Sequence, residues 1–278
     1  MPLKVQRINN IFFEKMNIDI TPNTFTHALA KGEKQIGFWI SLSSPFAAEV
    51  VASAGFDWAL IDMEHSPNDY FSVMGQLQVF AATQTTAIVR VEWNDSVVVK
   101  RILDLGAPGL LFPMIQSVEE AKKAVAATRY PPRGIRGVSG STRATRFGRI
   151  RDYPFKVEQE TTIIVQLETQ KAIAEAEAIA AVDGISGVFF GPADIAADIG
   201  KLGQPLAKEV WDLIRPVAKK LTENGTPVGT LVMDADFASE LLREEFTFVA
   251  CGQDTSLLAR ATDQLLDQVK SSTDTGLK

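Results

Sequence analysis

Eight short apolar runs punctuate the chain: IGFWISL (36–42), WALIDM (58–63), AIVRV (87–91), GLLFPMI (109–115), TIIVQLE (162–168), GVFFGPAD (187–194), VGTLVM (228–233) and FTFVACG (246–252). Each is apolar almost without interruption, the pattern of parallel strands covered on both faces. Between them the spacing changes. PFAAEVVASAG, DSVVVKRILDLGA, SVEEAKKAVAATRY, QKAIAEAEAIAAV, KEVWDLIRPVAKKLTENG and ADFASELLREE place apolar residues at i, i+3, i+4 and i+7, which predicts amphipathic helices. Gly55, Gly106 and Gly225 stand where helix C-caps belong. Strand followed by helix, repeated eight times, predicts an α/β fold closed into a (β/α)₈ TIM barrel. An open doubly wound sheet is the competing architecture. No G-x-G-x-x-G follows the first strand, which counts against its dinucleotide-binding form.

The same pattern sets the domain boundaries. Residues 1–22 precede the first helical stretch, TFTHALAKGE, and read as an N-terminal extension. Residues 23–270 form the barrel, and 271–278 are polar and read as a mobile tail. One connection is long: after a helix, the loop from Tyr130 to Tyr153 separates the fourth and fifth strands. Loops of that length in compact barrels usually serve function or an interface.

Composition narrows the class. With 46% hydrophobic and 22% charged residues, the 278-residue chain reads as an ordinary globular protein, large enough to bury a full core without disulfides. The net charge is −6, and the Arg-rich stretch between Arg129 and Arg151 carries no nucleic-acid motif, so nucleic acid is not an expected partner. Cys251 is the only cysteine, which rules out an internal disulfide and suits a reducing cytoplasm. MPLKVQRINNIFFEKM lacks the apolar core of a signal peptide, and no apolar run approaches the ~20 residues that span a membrane.

In such a barrel the C-terminal strand ends converge on one mouth. Those ends carry Trp39 and Ser41, then Asp62, Glu64 and His65, Arg90, Gln116, Gln166 and Glu168, Asp194, Leu231 and Met233, and finally Gln253 and Asp254. Polar groups closing apolar strands are costly to bury without partners, so their gathering marks an active site. Glu168 and Asp194 end consecutive strands. Two carboxylates with no nearby His or Cys ligand suit a hard divalent cation; Asp194 also fits as an N-cap of the helical IAADIG. Of the two histidines, His27 lies in the first helix and is expected to face solvent, whereas His65 follows a strand end. It fits either a base titrating near neutrality or a loop cap. Arg90 needs an anion, either a structural carboxylate or a substrate. Asp104 reads as part of a solvated helix face. No lysine lies inside any strand, which disfavours Schiff-base chemistry.

Four ordered segments, GFDWALIDMEHSPND, ATRYPPRGIRGVSGSTRATRFGRI, VQLET and GVFFGPADIA, resemble the class II pyruvate aldolases of the HpcH/HpaI type, and the likeness runs from about Thr24 to Val269. The resemblance implies a lyase that cleaves 4-hydroxy-2-oxo acids to pyruvate and an aldehyde through a metal-bound pyruvate enolate, in aromatic- or sugar-acid catabolism. It implies a divalent metal (Mg²⁺, Mn²⁺ or Co²⁺) held by Glu168 and Asp194. Gln166, Ala193 and the rest of the G-P-A-D motif, Gly191, Pro192 and Asp194, would contact the substrate, with Trp39 and Leu231 beside them. His65 would be the general base, Arg90 the oxyanion clamp, and Asp104 the aspartate that raises the basicity of His65. Asp62 is close enough in sequence to orient His65 instead, and both stay open. The family further implies a C-terminal helix swapped between protomers of a hexamer, a trimer of dimers. Met63 replaces a commoner Gly, and VSGSTRAT varies a Gly/Ala-rich segment; these departures leave the aldehyde open. Oxaloacetate decarboxylation, or a macrophomate-synthase-like reaction, would use the same enolate. A non-catalytic oxo-acid-binding barrel is the reading from another class.

Overall fold

A computed structural model describes residues 18–274. All eight apolar runs are strands: β1 Gln35–Ile40, β2 Trp58–Asp62, β3 Thr86–Arg90, β4 Gly109–Phe112, β5 Thr162–Leu167, β6 Gly187–Phe190, β7 Val228–Val232 and β8 Phe248–Gln253. Each pairs in parallel with the next, and β8 pairs with β1 to close the barrel. The helices are α1 Thr24–Ala30, α2 Pro45–Ala52, α3 Tyr70–Phe80, α4 Ser96–Asp104, α5 Val118–Thr128, α6 Tyr153–Lys156, α7 Gln170–Ala174, α8 Ala176–Ala180, α9 Pro192–Asp198, α10 Lys208–Glu223, α11 Ala235–Arg243 and α12 Asp254–Asp274.

Two cores result from the period-2 alternation of the strands. Outward residues such as Ala59, Ile61, Val89 and Val165 pack against the helices. Inward residues, among them Trp39, Trp58, Leu60, Ile88, Leu111, Ile164, Phe189 and Phe248, fill the barrel. Room for the largest rings comes from glycine: a Cβ on Gly37 would lie 2.1 Å from Trp58, and one on Gly229 would lie 2.2 Å from Phe248. Helix α1 closes the floor. Its Phe25 stacks on Trp58 at 5.3 Å, and its N-cap Asn23 donates to Pro108 O, Glu160 O and Thr162 Oγ1.

Polarity sorts the two ends. Ser44, Asp69, Asp95, Ser117, Thr169 and Asp234 N-cap helices at the mouth with side-chain acceptors. Gly55, Gly106 and Gly225 have φ of +92°, +87° and +80° at the floor, as C-caps require.

Several expectations change in detail. Helix α3 has no counterpart among the periodic stretches. QKAIAEAEAIAAV is broken at Glu175, whose N–H meets both Lys171 O and Ala172 O; this tightened turn serves burial of Ile173, Ala176 and Ile179 at three-residue spacing. The fourth strand stops at Phe112, because Met114 takes a left-handed φ of 52°. The long connection leaves α5 and returns to the start of β5, so in this chain it lies at the floor, away from the mouth. Residues 271–274 continue α12 rather than forming a tail, whereas 1–17 and 275–278 lie outside the described residues. No described helix is long and apolar enough to cross a membrane.

Candidate active site

The mouth holds a cavity of about 450 Å³ bordered by Trp39, His65, Arg90, Gln166, Gly191, Pro192, Ala193, Asp194 and Leu231, together with Phe189, Met233 and Arg260. Inward parity explains much of this gathering. Trp39, Asp62, Arg90, Gln166 and Leu231 share the inward phase of their strands, and Asp62 and Arg90 are register partners on β2 and β3.

Asp62 is the hub on one side. Its buried carboxylate accepts from Arg90 Nε at 2.8 Å and Nη2 at 2.7 Å, from Trp39 Nε1 at 3.2 Å and from Glu64 N at 3.0 Å. Burial raises its pKa, but the Arg90 hydrogen bonds and charge outweigh this and leave it below the usual carboxylate range. Arg90 Nη1 lies 2.9 Å from Glu64, and its guanidinium lies 4.9 Å from the Trp39 ring centre. Glu64 is pushed the other way, upward, chiefly by burial.

Facing them is Glu168, which is only 3% exposed. Its Oε2 accepts from Met114 N at 2.7 Å and its Oε1 from Gln166 Nε2 at 2.5 Å. The left-handed Met114 aims that N–H. Burial, reinforced by the charge of Asp194, pushes Glu168 up to about 8. Gly191 leaves the space: a Cβ there would lie 2.9 Å from Glu168 Cγ. Gln166 Oε1 is buried and makes no hydrogen bond among the described residues. Asp194 is the third residue of α9, whose N-cap is Gly191, so the capping alternative does not hold.

The donor chemistry therefore fits a hard cation. Two converging carboxylates, one of them held in a site that penalises its bare charge, are what a divalent ion with otherwise water and substrate ligands requires. No group of three or more His, Cys, Asp or Glu residues that could hold a metal occurs among the described residues.

Not every sequence candidate gathers here. His65 lines the cavity with a largely exposed ring, 3.8 Å from Glu64. Asp62 reaches it only through the His65 N–H, at 3.4 Å. Asp104 ends α4 at the floor and pairs with Arg136 at 3.1 Å, so one chain does not bring it to His65. Asp254 is structural, accepting from Ser41 N and Leu42 N. His27 is half exposed but pairs with Glu160 at 3.1 Å. The sequence reading missed Phe189, Met114 and Arg260. Phe189 was accessible through strand parity, Met114 acts through its backbone, and Arg260 sits in a helix with no local motif.

A parallel (β/α)₈ barrel with acid, base and cation gathered at its C-terminal mouth has the architecture of a barrel enzyme. The family model described as HpcH/HpaI aldolase/citrate lyase matches residues 35–261, and the chain belongs to that family. It is 47% identical to a "Pyruvate aldolase" of Rhizobium etli, over 89% of this chain and 98% of that protein. It is 46% identical to a "4-hydroxy-2-oxo-heptane-1,7-dioate aldolase" of Escherichia coli, over 87% and 93%. Among solved structures, an HpcH/HpaI aldolase/citrate lyase family protein from Burkholderia cenocepacia superposes with a TM-score of 0.86 at 38% identity, covering 89% of this chain and 99% of that one. These relatives support an enzyme of the aldolase and lyase kind.

Proposed function

We propose that the chain is a metal-dependent aldolase that cleaves 4-hydroxy-2-oxo acids to pyruvate and an aldehyde. The observation that carries this reading is Glu168: a buried carboxylate, pushed up to about 8, beside a second carboxylate and an unpartnered Gln166 oxygen. Glu168 and Asp194 would hold the divalent ion (Mg²⁺, Mn²⁺ or Co²⁺), which supplies Lewis-acid polarisation of a 2-oxo acid.

The remaining steps belong to the chain's own residues. Gln166, Gly191, Pro192 and Ala193 seat the pyruvyl end, with Trp39 and Leu231 as apolar walls. His65 accepts the proton of the C4 hydroxyl. The C3–C4 bond then breaks, its electron pair passes toward the keto group as the enolate, and the new C4 carbonyl leaves as the aldehyde. Arg90, clamped by Asp62 and Glu64, offers its remaining N–H groups to the developing oxyanion. Return of the proton from His65 to C3 completes pyruvate. Asp104 can assist His65 only if a second protomer presents it. The exposed Leu257, Leu258, Leu265, Leu266 and Val269 of α12 fit burial against another copy, in line with a swapped helix and a hexamer. The single cysteine fits a cytoplasmic setting.

The deciding experiment measures pyruvate release from a panel of 4-hydroxy-2-oxo acids with EDTA and with each metal, with oxaloacetate alongside. Metal-restored cleavage of the hydroxy-oxo acids supports the reading. Turnover of oxaloacetate alone makes the enzyme a decarboxylase, and no turnover at all leaves a binding barrel.

A further inference from the structure

Helix α3 carries one polar residue among its buried ones. Gln76 sits with Val73, Leu77 and Phe80 and is fully buried, yet its Oε1 makes no hydrogen bond among the described residues. An apolar residue there would cover the same face without an orphaned oxygen, so the amide is costly for packing alone. What it supplies is direction. Its Nε2 donates to Asn68 Oδ1 at 2.7 Å and to Ser72 O at 3.1 Å. Asn68 is buried too and uses both halves of its amide. Its Oδ1 accepts from Gln76 and from Ser72 Oγ at 2.8 Å, and its Nδ2 donates to Asp62 O at 2.7 Å and to Ser66 Oγ at 2.9 Å. Those four bonds exhaust an asparagine amide and fix its orientation.

The consequence lies in the loop between β2 and α3. Asn68 binds the carbonyl of the residue that ends β2, so residues 62–68 close on themselves. Glu64 and His65 lie inside that closed loop, and the Asp62 carboxylate takes their backbone N–H groups at 3.0 and 3.4 Å. The loop is thus held from both sides, and the hold runs back through Gln76 into the outer core. The His65 ring has little direction of its own: it is largely exposed, with Glu64 at 3.8 Å as its ion-pair contact within the chain. Whatever a second protomer adds to the ring, the backbone that carries it is placed from within. Resting on the aldolase reading above, we infer that Asn68, aimed by Gln76, is a positioning residue for His65. It holds the base over the C4 hydroxyl and touches no substrate itself.

The test uses the full-length, metal-loaded enzyme and whichever 4-hydroxy-2-oxo acid the parent cleaves fastest. Gln76→Leu fills the buried face and removes the orphaned oxygen, so its urea midpoint should stay at or above the parent's. Its kcat should nevertheless fall about fivefold, and that of the isosteric Asn68→Asp about thirtyfold, both within the ~10²-fold scale of losing a general base. KM should hold within about twofold, since the groups that seat the pyruvyl end are untouched. A cycle separates positioning from loosened structure: in a His65→Ala background, either substitution should change kcat by less than about twofold. If the parent turns over and Gln76→Leu, its midpoint retained, keeps the parent's kcat, the positioning role is overturned while the aldolase reading stands. The same holds if either substitution slows His65→Ala by as much as it slows the parent. If the parent cleaves no 4-hydroxy-2-oxo acid, both are overturned.

Discussion

Replacing Asp62 with alanine removes the acceptor for five donors, three on the Arg90 and Trp39 side chains and two backbone N–H groups, and leaves the Arg90 side chain, which is 8% exposed, with Glu64 as its remaining ion-pair partner among the described residues. Breaking a buried pair by deleting one member costs about 3–5 kcal/mol, because the surviving charge stays buried without its partner. The Trp39 N–H adds up to about 1–3 kcal/mol if left unsatisfied, although the two losses overlap and Glu64 offsets part of the first. The expected destabilisation is therefore about 3–4 kcal/mol. It would be read as the shift in urea midpoint multiplied by the slope, at fixed protein concentration and metal content. The pair cycle sharpens the test. In Asp62→Leu/Arg90→Met both charges are gone, so this double variant should recover at least about 1 kcal/mol relative to Asp62→Ala.

Acid adds an independent check. The Asp62 pKa is depressed in the fold, so its contribution is fully present above its unfolded value of about 3.9 and is lost as pH falls through the lower folded value. The parent should lose more stability than Asp62→Ala below about pH 4. A loss under about 1 kcal/mol for Asp62→Ala, or a double variant no more stable than the single, would refute the hub role of Asp62.

Other outcomes follow from the same geometry. His65→Ala should lower kcat by at least ~10²-fold in the pyruvate-release assay while leaving the urea midpoint unchanged, since its ring is largely exposed. Glu168→Ala should abolish Mn²⁺ binding measured by titration calorimetry, together with metal-dependent turnover; retention of either would count against the carboxylate pair. Gly191→Ala places a Cβ 2.9 Å from Glu168 Cγ, so it should weaken metal affinity without changing any candidate ligand. Asp104→Ala strips the partner from the fully buried Arg136 and should cost about 3–5 kcal/mol in urea unfolding, whatever it does to the rate.

The strands were legible because each is buried on both faces and shows as a nearly uninterrupted apolar run, although two of the runs continue past the strand ends at Phe112 and Phe190. Helix α3 was not, and its residues explain why. Its core face includes Gln76, which is fully buried and donates to Asn68 Oδ1 at 2.7 Å. Gly75 interrupts the stripe because a Cβ there would lie 2.7 Å from Pro45. The helix depends instead on the Asp69–Ser72 capping box. At the mouth, residue type and strand phase pointed to Glu168, Arg90 and Gln166. They could not show that the backbone of Met114 holds Glu168, nor that Asp104 faces the floor. Both depend on how loops turn after the strand or helix ends, which side-chain periodicity does not record.

The aromatic layer beneath the site has a consequence for how such an enzyme can change. Phe25, Trp58, Phe248 and Phe189 form a chain of ring contacts with centroid separations between 5.3 and 6.2 Å. Gly37 and Gly229 are already spent in making room for them. Nothing below can yield to a bulkier guest. Substrate range can therefore drift only outward, through the loops and the α12 rim, where residues are replaceable one at a time. The packed layer fixes the deep end of the cavity, and variation is left to its rim.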